Sequence, residues 1–245
     1  EYRAFLEYAR NLYDATDKGY FEMGLENTPE VLRKYGLIRS LKGFDIFTTM
    51  HDAIAKYMTH PNMVDMFDYF IKYVGSSPYD APAVLNMMIY MQHKQGVWYV
   101  PGGMYGLAEG LIRLAIESGV KINLEAEVVR MVRGKSRDIE AIELADGTQI
   151  KGDIFVSNME VLPAYDQLLG EKDYADKKRE KFEPACSGLV IHLGVDQLYP
   201  QLAHHNFFFS SNPEGHFNKV FHSHELPDDP ILYVVNSSKT DPGQA

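Results

Sequence analysis

The sequence of 245 residues predicts an α+β fold in three parts with different textures. Residues 1–95 have apolar side chains at helical spacing and are rich in aromatic residues. Residues 96–160 follow the order strand, Gly-Gly turn, helix, strand, hairpin and strand, which is typical of an α/β unit. Residues 161–245 begin as helix, pass a charged stretch at 171–183 and then contain several candidate strands.

The first part is predicted to be mainly helical. Its first helix is indicated by apolar residues that recur on one face, namely Leu6, Ala9, Leu12 and Tyr13. A second helix is predicted at 29–35, capped by Thr28 and ended by Gly36. Two more helices are predicted at 61–74 and 83–93, the latter rich in methionine.

The middle part alternates between strands and one helix. That helix is predicted to face the core with Leu107, Leu111, Leu114 and Ala115. Asp146 and Gly147 give the strongest hairpin signal of the chain, between strands at 139–144 and 148–150. Further strands are predicted at 97–100, 120–131 and 153–157. A βαβ-type arrangement is therefore expected within 96–160.

The last part is predicted to become strand-rich after its first helix. The helix is expected at 163–169. Candidate strands lie at 189–194, 206–210, 219–222 and 231–236.

Composition excludes several classes of function. The formal net charge of -10 provides no basic surplus for phosphates, so no nucleic-acid partner is predicted. The single cysteine, Cys186, cannot form an internal disulfide, fits a reducing compartment and is expected to be buried and inert. Nothing in the sequence indicates an oligomeric state.

Three features are candidates for a site, and each has a structural alternative. The glycines at Gly102 and Gly103 could cradle a phosphate, but they match neither GxGxxG nor the P-loop, and a tight turn is favoured. Neighbouring strand residues point to opposite faces, so His204 and His205 are not expected to share an ion, and no metal site is predicted.

The third feature is methionine, which is concentrated in the first part. Eight of the chain's eleven methionines lie in 1–95: Met23, Met50, Met58, Met63, Met66, Met87, Met88 and Met91. Thioether side chains suit an adaptable cavity for an apolar ligand, and an ordinary core explains them nearly as well.

Three groups of motifs, in this order and spacing, resemble one family. They are GSSPYDAPA at 75–83; GVWYVPGGM at 96–104 with the helix at 107–119, AEVV at 126–129 and DG at 146–147; and CSGL at 186–189, LAHHN at 202–206, DPILY at 229–233 and TDP at 240–242. Together they resemble the bacterial-type carotenoid desaturases, such as phytoene and dehydrosqualene desaturases, within the flavin amine oxidase superfamily. The likeness covers roughly 75–245, and residues 1–74 share only the helical, aromatic texture.

The resemblance implies a role for each part of the chain. Residues 1–95 would be a helical lid and membrane-facing region, 96–160 a remnant of an α/β FAD-binding domain, and 161–245 an antiparallel-sheet substrate domain. The family's GxGxxG fingerprint does not occur here, so the chain is expected to be an internal fragment that is inactive alone.

The resemblance also implies FAD as cofactor and a set of cofactor-binding residues. These are Gly102, Gly103 and Met104 near the flavin ring, Val128 and Val129 on the strand that meets the adenine, and Asn158 on the flavin side.

The implied reaction removes two hydrogens from a long polyisoprenoid, one as hydride to the flavin and one as a proton. A lipophilic polyene needs an apolar tunnel, to which Met87, Met91, His204 and His205 are assigned. No general base is named. The implied location is cytoplasmic, with peripheral membrane contact through an apolar face.

Three alternatives stay open at this point. A carotenoid isomerase or a retinoid saturase-like enzyme would use the same fold and flavin. A flavin amine oxidase would need polar contacts for a small amine. A lipid-binding module without catalysis is the third.

Overall fold

The computed structural model of the protein describes residues 1–17, 21, 24, 28–36, 43–136, 138–182 and 187–244. The chain divides into two compact units: Glu1–Gly106 together with Cys186–Ala245, and Leu107–Ala185. Helices and small antiparallel sheets make up both, which confirms the predicted α+β class. The unit boundaries differ from the predicted limits of the three parts, whose functional roles stay predictions.

Helices form in most of the predicted places among the described residues, whereas Lys172–Arg179 and Pro213–Asn218 are helices that were not predicted. The α-helices are Tyr2–Thr16, Thr28–Tyr35, Met50–Ala55, Pro61–Asp68, Met87–Gln95, Tyr105–Glu117, Val161–Pro163, Lys172–Arg179 and Pro213–Asn218. Shorter 3-10 turns are Tyr69–Tyr73, Ala83–Asn86, Ser237–Lys239 and Pro242–Gln244, and π-turns are Ala164–Leu168 and Lys219–Ser223.

Glycines end the early helices as predicted, because they adopt the left-handed backbone that closes a helix. Gly36 has φ +75° after the second helix, and Gly75 has φ +71° after the segment that begins at Pro61. The predicted cap at Thr28, together with Met23 and Cys186, lies outside the described residues and side chains.

The first unit has one main hydrophobic core. Its buried members are Phe5, Met50, Ile54, Met58, Val64, Phe67, Ile71, Ala81, Ile89 and Phe217. Phe217 comes from the last part of the chain and packs against residues of the first part. Burial of these side chains therefore joins 1–106 to 186–245 in a single unit.

Each unit contains one antiparallel sheet. In the second unit, β1 (Val128–Arg133), β2 (Ile139–Leu144) and β3 (Gln149–Lys151) form a meander in the order β1-β2-β3. In the first unit, β4 (His205–Phe208) pairs with β5 (Leu232–Val235), with His205 opposite Val235 and Phe207 opposite Tyr233.

The predicted hairpin at Asp146-Gly147 is confirmed. Gly147 has φ +85°, and the Asp146 carboxylate accepts a hydrogen bond from the Thr148 backbone N–H at 2.8 Å. This local chemistry sets the β2–β3 register of Ile142 against Ile150.

Several predicted strands are wrong. The segments 97–100, 153–157 and 189–194 have no strand structure, and 120–131 is a strand only from Val128 onward. The expected βαβ arrangement is therefore replaced by an antiparallel meander. A strand is stable only when a neighbouring strand pairs with it. Among the described residues, no strand pairs with these segments.

The predicted strand at 219–222 is also wrong, because these residues form a π-turn that continues a helix. Pro213 begins that helix, and the Asn212 side chain caps it by accepting a hydrogen bond from the Gly215 N–H at 3.0 Å. The chain then continues as a π-turn, Lys219–Ser223.

The helix Tyr105–Glu117 forms where predicted, but its predicted core face is exposed. Leu111 and Leu114 are 58% and 59% exposed, and no residue of this helix is buried. Within the described residues nothing covers this apolar face.

Candidate functional site

The Gly-Gly turn is held by hydrogen bonds from both of its glycine amides. Gly102 and Gly103 have φ values of +81° and +92°, which glycine adopts without strain. The Gly103 N–H donates to the Val100 carbonyl at 2.9 Å, and the Gly102 N–H donates to Oδ2 of Asp241 at 2.7 Å. The predicted preference for a tight turn fits this arrangement.

Asp241 also contacts the aromatic segment before the turn. The Tyr99 hydroxyl donates to Oδ2 of Asp241 at 3.2 Å. The Gly102 N–H and then the Tyr99 hydroxyl lower the pKa of the Asp241 carboxyl, because both stabilise its charged form. Desolvation and the neighbouring carboxylate raise the pKa of Tyr99. Two family-like stretches, 96–104 and 240–242, therefore meet at one carboxylate.

His204 extends this cluster toward β4. Its ring meets the Tyr99 ring edge-on at 5.3 Å, and its Nδ1 lies 2.8 Å from the Thr240 hydroxyl. The rings of His204 and His205 are only 4.4 Å apart, so the two residues are not placed on opposite faces of one strand. The reason is that β4 starts at His205, which leaves His204 outside the strand.

His205 lies on the face of the sheet that also presents Tyr233. Its Nδ1 is 2.7 Å from the Tyr233 hydroxyl. Desolvation, with smaller effects from His204 and Lys72, lowers the pKa of His205. The ring is therefore neutral at neutral pH, so one of its nitrogens is able to accept a proton.

Lys72, Tyr99 and Asp241 are not among the site residues predicted from the sequence. Asp241 lies in the family-like TDP stretch, which is the one signal that could have marked it. Lys72 carries no such signal, because two of the four rings around it, those of Phe207 and Tyr233, come from segments more than a hundred residues away.

The Gly102 turn fits the flat ring of a flavin cofactor better than it fits the cofactor's phosphates. Its two amides are already hydrogen-bonded within the chain, so the turn is not a phosphate cradle. A Cβ placed on Gly102 would meet nothing within 4 Å, so the space above this glycine is open. Such an open face suits a flat ring lying against the backbone, as predicted for Gly102, Gly103 and Met104.

The other predicted cofactor contacts lie in the second unit. Val128 pairs with Leu144, and a shift of register between Val128 and Arg130 leaves Val129 without a partner on β2. An irregularity of this kind takes backbone groups out of the ladder, where they can bond a ligand. Asn158 is exposed in a segment without regular structure. These three assignments stay predictions.

Met87 and Met91, predicted to line a tunnel, lie in a packed cluster. Met87 is buried with Leu12 and Tyr13, and Met91 packs against them. The Thr16 hydroxyl donates to the Met87 sulfur at 2.9 Å. This packing favours the core interpretation of these two methionines, and their tunnel role stays a prediction.

An open groove of about 640 Å³ lies beside β5 in the first unit, and two of its lining residues, Leu193 and Leu198, are 78% and 76% exposed. Its apolar walls include Leu193, Leu198, Leu202 and Val234, and its polar end includes Asn236 and Ser237. It is about the size of pockets that take small organic ligands.

A second pair of titratable residues lies in the helical region. Nδ1 of His51 is 2.6 Å from Oδ2 of Asp68, whose side chain is only 4% exposed. Burial raises the pKa of Asp68, and the hydrogen bond to Asp68 raises the pKa of His51. The other oxygen of Asp68, Oδ1, is buried without a hydrogen-bond partner among the described residues.

Two further observations bear on the class of protein. Within the described residues there is no group of three or more His, Cys, Asp or Glu side chains placed to hold a metal ion. None of the described helices combines the length and the hydropathy that a membrane span requires.

Comparison with known proteins identifies the class. The model of the flavin containing amine oxidoreductase family matches residues 18–187, which is more than half of the chain. The chain belongs to this family. Proteins of this family contain flavin, which agrees with the predicted cofactor, FAD.

Individual relatives narrow the similarity. The chain is 51% identical over 245 residues to the 4,4'-diapolycopene oxygenase of Methylomonas sp, covering 100% of this chain and 49% of that protein. It is 49% identical over 242 residues to the 4,4'-diaponeurosporene oxygenase of Staphylococcus haemolyticus (strain JCSC1435), covering 98% of this chain and 48% of that protein. The protein of the same name from Staphylococcus aureus (strain USA300) is 45% identical over 246 residues, covering 100% and 49%. The chain spans about half the length of these curated relatives.

Proposed function

We propose that this chain is part of an FAD-dependent oxidoreductase that acts on a long linear polyisoprenoid in carotenoid biosynthesis, and that its reaction introduces oxygen near an end of the polyene. One observation supports this most strongly. The chain is 45–51% identical, over at least 98% of its length, to relatives named as oxygenases of such polyenes. A desaturase is the second candidate, favoured by the ordered motifs between 75 and 245.

The chemistry of the two candidates is closely related. When bound, FAD accepts a hydride from the substrate. Loss of hydride beside a conjugated chain leaves a delocalised cation on the polyene. Loss of a proton from that cation gives a new double bond, and addition of water followed by loss of a proton gives an oxygenated carbon.

The residues of this chain would contribute orientation and proton transfer. The open face of Gly102 would lie against the flat flavin ring, while Asp241 and Tyr99 hold the turn in place. A neutral His205 would accept the proton that the cation or its bound water releases. The groove beside β5 would hold part of the hydrocarbon chain against its apolar side chains.

The enzyme is proposed to act at the surface of a membrane, from which it would take up a polyene of this kind. Exposed apolar side chains in the first part of the chain, among them Phe47, Tyr73 and Val74, support this. Contact would be made by an apolar face, because the net charge of -10 does not favour anionic lipids.

Product analysis tests the proposal. The full-length parent protein would be loaded with FAD and incubated with 4,4'-diapolycopene or 4,4'-diaponeurosporene. The masses of the products would then be measured by mass spectrometry. A gain of oxygen is expected, and loss of two hydrogens would select the desaturase. An unchanged mass indicates an isomerase and a gain of two hydrogens a saturase, and either result would reject both candidates. Release of hydrogen peroxide from a small amine, with the polyene untouched, would identify an amine oxidase instead.

A further inference from the structure

One lysine ammonium lies among four aromatic rings. The Nζ of Lys72 is 4.5 Å from the ring centroid of Phe207, 4.7 Å from Tyr69, 4.9 Å from Tyr233 and 5.2 Å from Tyr73. All four distances are within the range of a cation–π interaction. We call Lys72 with these four rings the aromatic shelf.

A local turn and two distant strands together assemble the shelf. Tyr69, Lys72 and Tyr73 belong to the 3-10 turn Tyr69–Tyr73, whereas Phe207 lies on β4 and Tyr233 on β5. The rings of Phe207 and Tyr233 are opposite each other in the sheet and stack at 4.7 Å with an angle of 10°. The turn is thereby packed on one face of the sheet.

The Lys72 ammonium has no oxygen acceptor among the described residues. An ammonium carries three N–H donors, and ring faces attract it without replacing an oxygen acceptor. Within the described part of the chain, no carboxylate lies within 4.0 Å of it and no hydrogen bond is formed by its Nζ.

Two histidines lie beside the shelf. His205 contacts the Tyr233 hydroxyl, and the His204 ring lies 4.4 Å from that of His205. Desolvation, with smaller effects from His204 and Lys72, lowers the pKa of His205. The side chains of Lys72, Tyr73 and Tyr233 are exposed, so the donors can be reached from solvent. Aromatic surface next to unpaired donors suits a ligand with an apolar body and an oxygen atom at its end.

From this geometry we propose that the aromatic shelf binds the oxygen-bearing end of a long apolar ligand, with the Lys72 ammonium donating to a carbonyl or carboxylate oxygen. This rests on the proposed function for the identity of the apolar body, because an oxygenase leaves an oxygen on its polyene. The four rings hold the last carbons of the chain, and Lys72 distinguishes an oxygenated end from a hydrocarbon end. The shelf is thus a specificity site for product or for partly oxidised substrate.

Binding of a fluorescent polyene acid to this chain tests the shelf. The probe is cis-parinaric acid, with its methyl ester for comparison, and fluorescence is followed as protein is added. Replacement of Lys72→Met is expected to weaken binding of the acid by about fivefold, because one charge-assisted hydrogen bond at an exposed site is lost. The ester, which lacks the charge, is expected to change less.

Two matched variants separate recognition from folding. Lys72→Arg keeps a cationic donor over the rings and is expected to retain most of the affinity. Lys94→Met removes another exposed lysine, whose Nζ lies 4.4 Å from the single ring of Tyr13, and is expected to have no effect. Thermal melting of each variant reports whether the first unit stays folded.

Three outcomes would overturn the shelf as a ligand site. They are failure of the unaltered chain to bind the acid, equal losses in Lys72→Met and Lys94→Met, and a loss in Lys72→Arg as large as in Lys72→Met. None of them depends on flavin or turnover. Failure of the shelf is therefore distinguishable from failure of the proposed oxidation.

Discussion

The Gly102 backbone N–H donates to the Asp241 carboxylate at 2.7 Å, although the two residues are 139 positions apart in the chain. This contact ties a glycine turn near the middle of the sequence to its last residues. It holds the turn with its open face available, beside Tyr99 and the two histidines.

The first prediction concerns that hydrogen bond. In Asp241→Ala the Gly102 amide loses its acceptor, so its hydrogen exchange is expected to become faster than in the unaltered chain. Asp241→Asn keeps an oxygen acceptor and is expected to lie between the two. Exchange is measured by NMR or mass spectrometry.

Asp196→Ala is the control, because no hydrogen bond of its side chain is found among the described residues. Unchanged exchange of Gly102 in Asp241→Ala contradicts the contact.

The second prediction concerns the buried carboxylate of Asp68. His51→Ala leaves both oxygens of Asp68 without a partner and is expected to cost about 3 kcal/mol in the free energy of unfolding. His51→Ala combined with Asp68→Leu removes the unpaired charge and is expected to be more stable than His51→Ala alone. Urea unfolding measures both. A double variant less stable than the single one speaks against this explanation.

The third prediction concerns pH. The folded-state pKa of His51 is raised above its ordinary value of 6.5, so its contribution to stability is present below that pH and lost as pH rises through the raised value. The raised pKa of Asp68 acts in the same direction at lower pH. The other charged groups that affect this pair, Asp52, Asp65 and Glu214, are carboxylates.

We expect the melting temperature of the unaltered chain to fall more between about pH 6 and about pH 8 than that of His51→Gln. Calorimetry at intervals of pH measures the difference. Parallel curves for the two proteins would show that His51 does not titrate in this way.

The fourth prediction compares two apolar side chains in different environments. Ile54 is fully buried in the core of the first unit, whereas Leu111 is 58% exposed on the helix Tyr105–Glu117. Ile54→Ala is expected to cost about 2 to 5 kcal/mol, because it leaves a cavity, and Leu111→Ala less than about 1 kcal/mol. Chemical denaturation measures both. Similar losses at the two positions would mean that the helix is covered in solution.

The sequence predicted those elements whose signals are local. Gly36 ends the helix Thr28–Tyr35, and Asp146-Gly147 forms the hairpin between β2 and β3. In each case the turn residue itself imposes the backbone geometry.

Elements that depend on distant partners were predicted less well. The segments 97–100 and 153–157 have strand-like sequences, yet no strand pairs with them among the described residues. The same limit applied to the candidate site. Lys72 meets Phe207 and Tyr233, and Gly102 meets Asp241, only because the first and last parts of the chain fold together. No spacing within the sequence encodes those pairs.

The central claim is that the family's flavin oxidises an apolar polyene rather than an amine. Anaerobic mixing of the FAD-loaded full-length parent protein with 4,4'-diapolycopene tests it most directly. The polyene is then extracted into hexane without admitting air, and the visible absorption band of the oxidised flavin left in the protein solution is the signal. We expect the band to disappear with the polyene and to persist with a small amine. A band that persists with the polyene and disappears with the amine would contradict the account.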